Sequence, residues 1–505
     1  MTVAATLREV LLAHERTQPE AALLISPETG EILSYAKFAK EARQLAARYA
    51  EHGLAPGDHI GFLLHNGYQT TTIFLGTMAA GFIVTPLNLL AHGTQLAYVL
   101  EQSDVKLVFT SAHYEAQLRT ALALMASERS NSIRVEVIDS DAPDAHARYG
   151  EVELTQSSHA QSPALLMYTS GTTGQPKGAL LTHANLLHAG RSVCDWHGLT
   201  HADRVLSSLP LYHINGQCIA TVAPFVSGGS IVAPHKFSAS AWWGWVERHE
   251  PTWLNLVPTI IAYLLNASDS NTKAWSAIRF ARSASAPLPP DQHRAFELKF
   301  GIGVIEAMGM TECASVVFCN PQEASLRKYG TPGLPCGVEA RVVSTETNAV
   351  LADSVTGELQ LRGDNVMLGY YNAPEKTADA MAADGWLRTG DLGHRDADGF
   401  YFVTGRIKEL IIKGGENIAP REIDEALLTH PAVLEAAAVG IPDANYGQEI
   451  LAAVVLKPGL ECDEMSLREH CVRVLGRYKT PKIFRFVDEL PKGPSGKVQR
   501  LKLLD

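Results

Sequence analysis

Short apolar runs alternate along this chain with stretches whose apolar residues recur at helical spacing. Residues 60–64 read as a strand, 70–80 as a helix and 82–84 as the next strand, since an unbroken apolar run suits a strand buried on both faces and a 3.6-residue period suits a helix. Strand–helix–strand order predicts α/β architecture with parallel crossovers. A large N-terminal domain rich in parallel sheet is expected, and a chain of 505 residues has room for it to be built of several subdomains. The most apolar stretch, 77–91, is cut by Pro86 and falls far short of the ~20 residues that span a bilayer, so it reads as core.

The pattern changes over the last hundred residues. Runs at 400–403, 410–412, 433–439 and 450–456 read as strands, and Pro420 suits the first turn of a helix through Leu428. Ser466 with Glu469 has the spacing of a capping box for a further helix. This is a small α+β module. Its expected border is the turn at Gly405, with residues 1–404 as the N-terminal domain, 405–408 as the connection and 409–505 as the C-terminal domain.

Hydrophobic residues make up 46% of the 505 and charged residues 19%, the balance of a folding chain rather than a disordered one. A net charge of −11 argues against general affinity for nucleic acid or anionic membrane, which needs a clustered basic surface. The seven cysteines are scattered, odd in number and form no CxxC pair, which points to free thiols in a reducing compartment. No apolar run with a small-residue cleavage site follows Arg8 and Glu9, so a cytoplasmic location is expected.

Candidate chemistry enters at Thr169-Ser170-Gly171-Thr172-Thr173-Gly174-Gln175-Pro176-Lys177-Gly178, between predicted strands at 164–168 and 178–181. Glycines let backbone N–H groups approach an anion, hydroxyls add donors and Lys177 adds charge, the requirements of a polyphosphate cradle. An ordinary loop of this composition is merely solvated. The string also fails the Walker pattern, because Pro176 stands where a glycine is needed.

From Tyr168 to Gly178 the string resembles the phosphate loop of the adenylate-forming superfamily, which comprises acyl-CoA synthetases, peptide-synthetase adenylation domains and luciferases. Further motifs follow in that family's order to about residue 500. The resemblance implies ATP and Mg²⁺, with CoA as co-substrate. It places Thr311 on the phosphates and Glu312 on Mg²⁺, puts Met308 where an aromatic usually stacks on adenine, and sets Gly309 beside adenine and acid. Ser285, Ala286 and Pro287 become the adenine loop, Asp391 the acceptor from ribose hydroxyls, Arg406 a ribose or phosphate contact and Lys408 the pivot. Lys497, in Pro491-Lys492-Gly493-Pro494-Ser495-Gly496-Lys497, becomes the catalytic lysine, placed where carboxylate and α-phosphate meet. With 405–408 as the hinge and 409–505 as a mobile domain, Gly414, Gly415 and Glu416 would line the thiol tunnel after domain rotation. His213 and Asn215, in Pro210-Leu211-Tyr212-His213-Ile214-Asn215-Gly216, would border the acyl pocket. Arg282 either reads a second anionic group on the acid or anchors the fold.

The resemblance thus implies an ATP-dependent acid:CoA ligase releasing AMP and pyrophosphate. The Arg-Ser-x-Ser-Ala run at Arg282 is similar to that of oxalate ligases, and the whole chain resembles ligases of small polar acids, including malonate and sulfoacetate. Medium-chain fatty or aryl acids, and loading of a carrier protein, are the alternatives; a luciferase-like oxygenase and a non-enzymatic nucleotide-binding module have less in their favour. Self-association is left open.

Overall fold

The computed structural model describes residues 4–154, 158–169, 175–267, 275–492 and 498–504. The chain divides into two compact units, 1–339 with 362–381, and 340–361 with 382–505.

Two sheets form the first unit. One has seven strands, in the order Gly369–Tyr370, Lys177–Thr182, Pro163–Thr169, Ile83–Pro86, His59–Leu63, Val105–Thr110 and Arg134–Val137. Its last five strands run parallel, and the first two pair antiparallel. All five residues of His59–Leu63 are buried, which is why that strand reads as a continuous apolar run rather than an alternation. Every residue of the helix Tyr68–Ala79 is buried too, so the apolar stretch around Thr77 is core, as its interruption by Pro86 implies.

The other sheet has nine strands. Its centre is a parallel set, Ala22–Ile25, Ser230–Val232, Arg204–Leu206, Trp253–Leu256, Phe280–Ser283 and Val304–Met310. Trp242, Leu254, Leu256, Ile261 and Phe296 pack into one core cluster against it. Burying each such side chain contributes about 1.5–3 kcal/mol. Parallel strands send their carboxyl ends to one edge, where α/β folds gather their functional loops.

The second unit holds a four-stranded sheet ending in Leu387–Arg395 and Tyr401–Arg406, and a five-stranded sheet built on the long hairpin Val433–Asp443 and Gly447–Leu456. The helix Pro420–Leu428 starts with proline at its first turn and buries Ile423 and Leu427 against the hairpin. The border expected at Gly405 falls on the strand Tyr401–Arg406, inside this unit.

One local expectation is corrected. The helix Glu464–Lys479 is capped by Asp463, whose side chain accepts from the N–H of Ser466 at 2.8 Å, and Ser466 is the third helical residue rather than the cap. Aspartate is at least as good a cap as serine, and starting here also places Leu467 and Cys471 in the core. Among the described residues, no helix is long and apolar enough to cross a membrane, and all seven cysteines are free.

Candidate active site

In the first unit, the hairpin Pro163–Thr169 and Lys177–Thr182 closes on the pair Thr169 and Lys177. The loop between them, with Ser170, Gly171, Thr172, Thr173 and Gly174, lies outside the described residues. The Lys177 ammonium is 4.8 Å from the centre of the Tyr370 ring, and the Tyr370 hydroxyl donates to Glu312 Oε1 at 2.8 Å. Tyr370 reaches this position from the two-residue strand Gly369–Tyr370, paired on Lys177–Thr182. Burial first, and the Glu312 charge second, push its phenol pKa up, so at neutral pH it is a donor.

Glu312 sits in the single turn Thr311–Cys313 that follows Val304–Met310, and its backbone carbonyl is fixed by the Met367 N–H at 2.7 Å. A carboxylate steered through one oxygen keeps the other for a hard cation, and with Lys177 alongside, the donor set suits a divalent ion carrying phosphates. Just upstream, the pairing with Ser315–Cys319 slips between Met308 and Gly309. A Cβ on Gly309 would come within 1.8 Å of the Ser315 carbonyl oxygen, so only glycine allows this close approach. Met308 stands opposite Phe318 in the ladder.

The adenine-loop candidates follow the strand Phe280–Ser283. Ser285 has φ of +76°, a left-handed conformation that costs a non-glycine residue about 1–3 kcal/mol and persists where surroundings enforce it. Asn215 holds its side chain, donating from Nδ2 to Ser285 Oγ at 3.1 Å. Asn255, on Trp253–Leu256, donates in turn to Asn215 Oδ1 at 3.1 Å and to Ser207 Oγ at 3.4 Å. Ala286 is half-buried and Pro287 exposed. Asn215 opens a wide π-type helical segment, Asn215–Val222, a geometry frequent at functional sites. The half-buried His213 donates its backbone N–H to the Pro210 carbonyl at 3.0 Å and packs its ring 4.6 Å from Tyr212.

Arg282 lies in register with Asn255, so the two side chains share a face of the sheet. Its guanidinium is sealed beside Cys319 and Cys336, and among the described residues none of its three nitrogens has a hydrogen-bond partner meeting normal geometry. Burial, reinforced by this charge, pushes the neighbouring His197 imidazole well below its ordinary pKa.

In the second unit, Asp391 and Arg406 are directly paired across two strands. Arg406 Nε is 2.9 Å from Asp391 Oδ1, while Asp391 Oδ2 is buried without a hydrogen-bond donor among the described residues. A buried acceptor so placed calls for a donor such as a hydroxyl group. Lys408 is exposed in the turn Ile407–Glu409 directly after this strand. Gly414 and Gly415, with φ of +57° and +88°, form the tight turn between Ile411–Lys413 and Glu416–Ile418; consecutive left-handed residues of this kind call for glycine. Glu416 is exposed beside them. The turn is anchored by buried Lys413, which pairs with Glu449 at 2.9 Å.

Lys497 lies outside the described residues, but the stem of its loop is within them. Lys492 and Val498 form an antiparallel bridge, and Gln499 N–H donates to the Pro491 carbonyl at 2.8 Å. Two residues beyond Val498, Arg500 ties this segment to the rest of the unit, bonding Asp424 and, at 3.1 Å, the Ala438 carbonyl, with Glu409 at 3.3 Å. Removing one partner of a buried ion pair costs about 3–5 kcal/mol. Arg500→Ala is accordingly expected to lower the stability of this unit by that order in urea titrations.

Tyr370, Asn255 and Arg500 were not singled out from the sequence. Each acts through a partner remote in the chain, and none sits in a motif; a tyrosine two residues after Leu368 or an arginine near the terminus has no local signal.

The AMP-binding enzyme family matches residues 11–371, and the AMP-binding enzyme C-terminal domain matches 422–497. The chain is 53% identical to a sulfoacetate--CoA ligase of Cupriavidus necator, over 99% of this chain and 97% of that protein. It is 34% identical to an oxalate--CoA ligase of Arabidopsis thaliana, over 93% and 92%. Among solved structures, ATP-bound MatB from Rhodopseudomonas palustris superposes with a TM-score of 0.92 at 32% identity, covering 99% of this chain and 98% of that one. On these matches and on the order of the motifs described above, the chain belongs to the AMP-binding enzyme family of adenylate-forming acid:CoA ligases.

Proposed function

We propose that this ATP-dependent acid:CoA ligase activates a small acid bearing a second anionic group, with sulfoacetate the first candidate. The observation that carries the substrate reading is 53% identity over 99% of the chain to a sulfoacetate--CoA ligase. An acid of this kind also suits Arg282, a buried guanidinium without a hydrogen-bonded carboxylate among the described residues, which biases its face of the sheet toward an anionic guest.

In the first step, a carboxylate oxygen of the acid attacks the α-phosphorus of ATP; the bond to the β-phosphate breaks and pyrophosphate leaves. Lys497 offsets the charge that accumulates as the two anions meet. Mg²⁺ carried by the phosphates and held by Glu312 would supply Lewis-acid charge to the leaving group. Lys177 and the phosphate loop hold the polyphosphate, Asp391 and Arg406 the ribose, and Met308 with Ser285–Pro287 the adenine. In the second step, the CoA sulfur attacks the acyl carbon, the carbon–oxygen bond to AMP breaks and the thiol proton passes to solvent. The part beyond Lys408, residues 409–505, rotates between steps, withdrawing Lys497 and bringing Gly414, Gly415 and Glu416 to the pantetheine. His213 borders acid and thiol. Seven free cysteines support a reducing, cytoplasmic setting.

A CoA-dependent AMP-release screen over sulfoacetate, oxalate, malonate, acetate, octanoate and benzoate tests the substrate reading. The expected result is a kcat/KM for one of the dianionic acids at least ~100-fold above octanoate, a floor below the roughly 10⁴-fold by which a site built for polar groups can reject an analogue lacking them. Comparable turnover of octanoate would overturn it. Offering phosphopantetheinyl carrier protein beside CoA separates the carrier-loading reading, which predicts preference for the carrier.

A further inference from the structure

We propose that the chain holds a zinc-class divalent cation on His65, Asp141 and His235, with Glu28 as fourth ligand, at a site outside the ATP and acyl machinery. The three first-named residues are half-buried, and their ligand atoms all lie within 4.8 Å of one another. His235 Nε2 is 2.9 Å from Asp141 Oδ1 and 4.0 Å from Glu28 Oε2.

Topology explains the convergence. Glu28, His65, Asp141 and His235 follow the strands Ala22–Ile25, His59–Leu63, Arg134–Val137 and Ser230–Val232, so all four leave the carboxyl ends of parallel strands. The first and last of these strands belong to the nine-stranded sheet and the middle two to the seven-stranded sheet. A cation here would tie together the ends of both sheets of the first unit.

Its preparation resembles that of a metal ligand set. His65 Nδ1 is 2.7 Å from the Asn66 carbonyl oxygen, a contact that requires the proton on Nδ1 and leaves the Nε2 lone pair for a metal, the usual outer support of a ligating histidine. The His235 backbone N–H donates to Glu28 Oε1 at 2.9 Å, steering that carboxylate inward. The two imidazole rings lie 4.1 Å apart. Two imidazoles with two carboxylates suit Zn²⁺ or Co²⁺ rather than Mg²⁺ or Ca²⁺, which prefer all-oxygen sets. Zinc bonds of about 2.0 Å put tetrahedral ligands roughly 3.3 Å apart, so side-chain shifts of about 1 Å close the site.

The site abuts the acyl loop. Asn66, next to His65, donates to the Leu209 carbonyl at 3.1 Å and accepts from the Leu211 N–H at 3.1 Å. Bound metal would therefore stiffen the segment leading to His213.

Tag-free, chelator-treated full chain titrated with Co²⁺ is the test. The expected result is one equivalent bound, with a visible ligand-field band, no thiolate charge-transfer band, displacement by Zn²⁺ and a raised Tm. His65→Gln with His235→Gln should abolish band and Tm rise, while the metal-free double variant unfolds at the wild-type temperature. Should that variant not fold, Glu28→Gln is expected to weaken Co²⁺ binding about 10-fold. Absence of the band and of any Tm change at saturating metal, a thiolate band, or undiminished binding in the variants would each overturn the site, whatever the acid screen returns.

Discussion

Lys497→Ala should reduce adenylate formation by at least about 100-fold, the usual effect of removing one preorganised charge-stabilising donor, while leaving thioester formation from supplied acyl-adenylate nearly intact. The reason is electrostatic. In the first step two anions, the acid's carboxylate and the α-phosphate, must come within bonding distance, and their repulsion rises in the transition state more than in the ground state. A positioned ammonium lowers that barrier. In the second step a neutral thiol or its anion meets an activated acyl carbon, and the account has Lys497 withdrawn by then. Pyrophosphate exchange reads the first step, and CoA consumption with synthetic adenylate reads the second. Equal losses in both would contradict rotation between steps.

The stem of the loop that carries Lys497 makes this more than a statement about a terminal residue. The Lys492–Val498 bridge and the Arg500–Asp424 pair fix both sides of the five-residue segment 493–497 to the core of the second unit. The described residues on either side of that segment thus belong to the second unit.

The second large effect is expected at Glu312. Glu312→Gln keeps an oxygen to accept from Tyr370 and removes only the charge, so Tm should hold while kcat/KM for ATP falls by about 100-fold or more and the Mg²⁺ concentration for half-maximal rate rises. Tyr370→Phe, which removes the hydrogen bond to an ionised group worth about 1.5–3 kcal/mol, should cost roughly 10-fold or more in the same assay with the same direction in Mg²⁺ dependence. A Glu312→Gln enzyme with an unaltered Mg²⁺ profile would remove Glu312 from the cation site and leave Tyr370 as packing only.

How far the sequence reached can be judged from particular residues. The helix from Pro420 to Leu428 has the bounds its pattern predicts, because proline fixes the start and the apolar face fixes the register locally. The strands flanking the phosphate loop and the buried run at His59–Leu63 were legible for the same reason. The cap at Asp463 was missed because two polar residues three apart offered competing starts, and burial of Leu467 and Cys471 decided between them. Tyr370, Asn255 and Arg500 were illegible: each takes its meaning from a residue 40 to 76 positions away, Glu312, Asn215 and Asp424 in turn being 58, 40 and 76 removed. Arg282 is intermediate. Its motif drew attention to it, but only the fold shows that its guanidinium is sealed beside two cysteines.

The histidine pair at 65 and 235 belongs to the same class as the missed residues. Neither lies in a recognisable ligand spacing, and they meet because two different sheets present their carboxyl ends to each other.

The central claim is that the acid becomes an acyl phosphate anhydride of AMP before it becomes a thioester. Sulfoacetate, or the best acid of the screen, labelled with ¹⁸O in its carboxylate and turned over once with ATP and CoA, tests this directly. Mass spectrometry should find one ¹⁸O in the phosphate of AMP and none in pyrophosphate. Unlabelled AMP, or ADP with phosphate in place of AMP with pyrophosphate, would contradict the account.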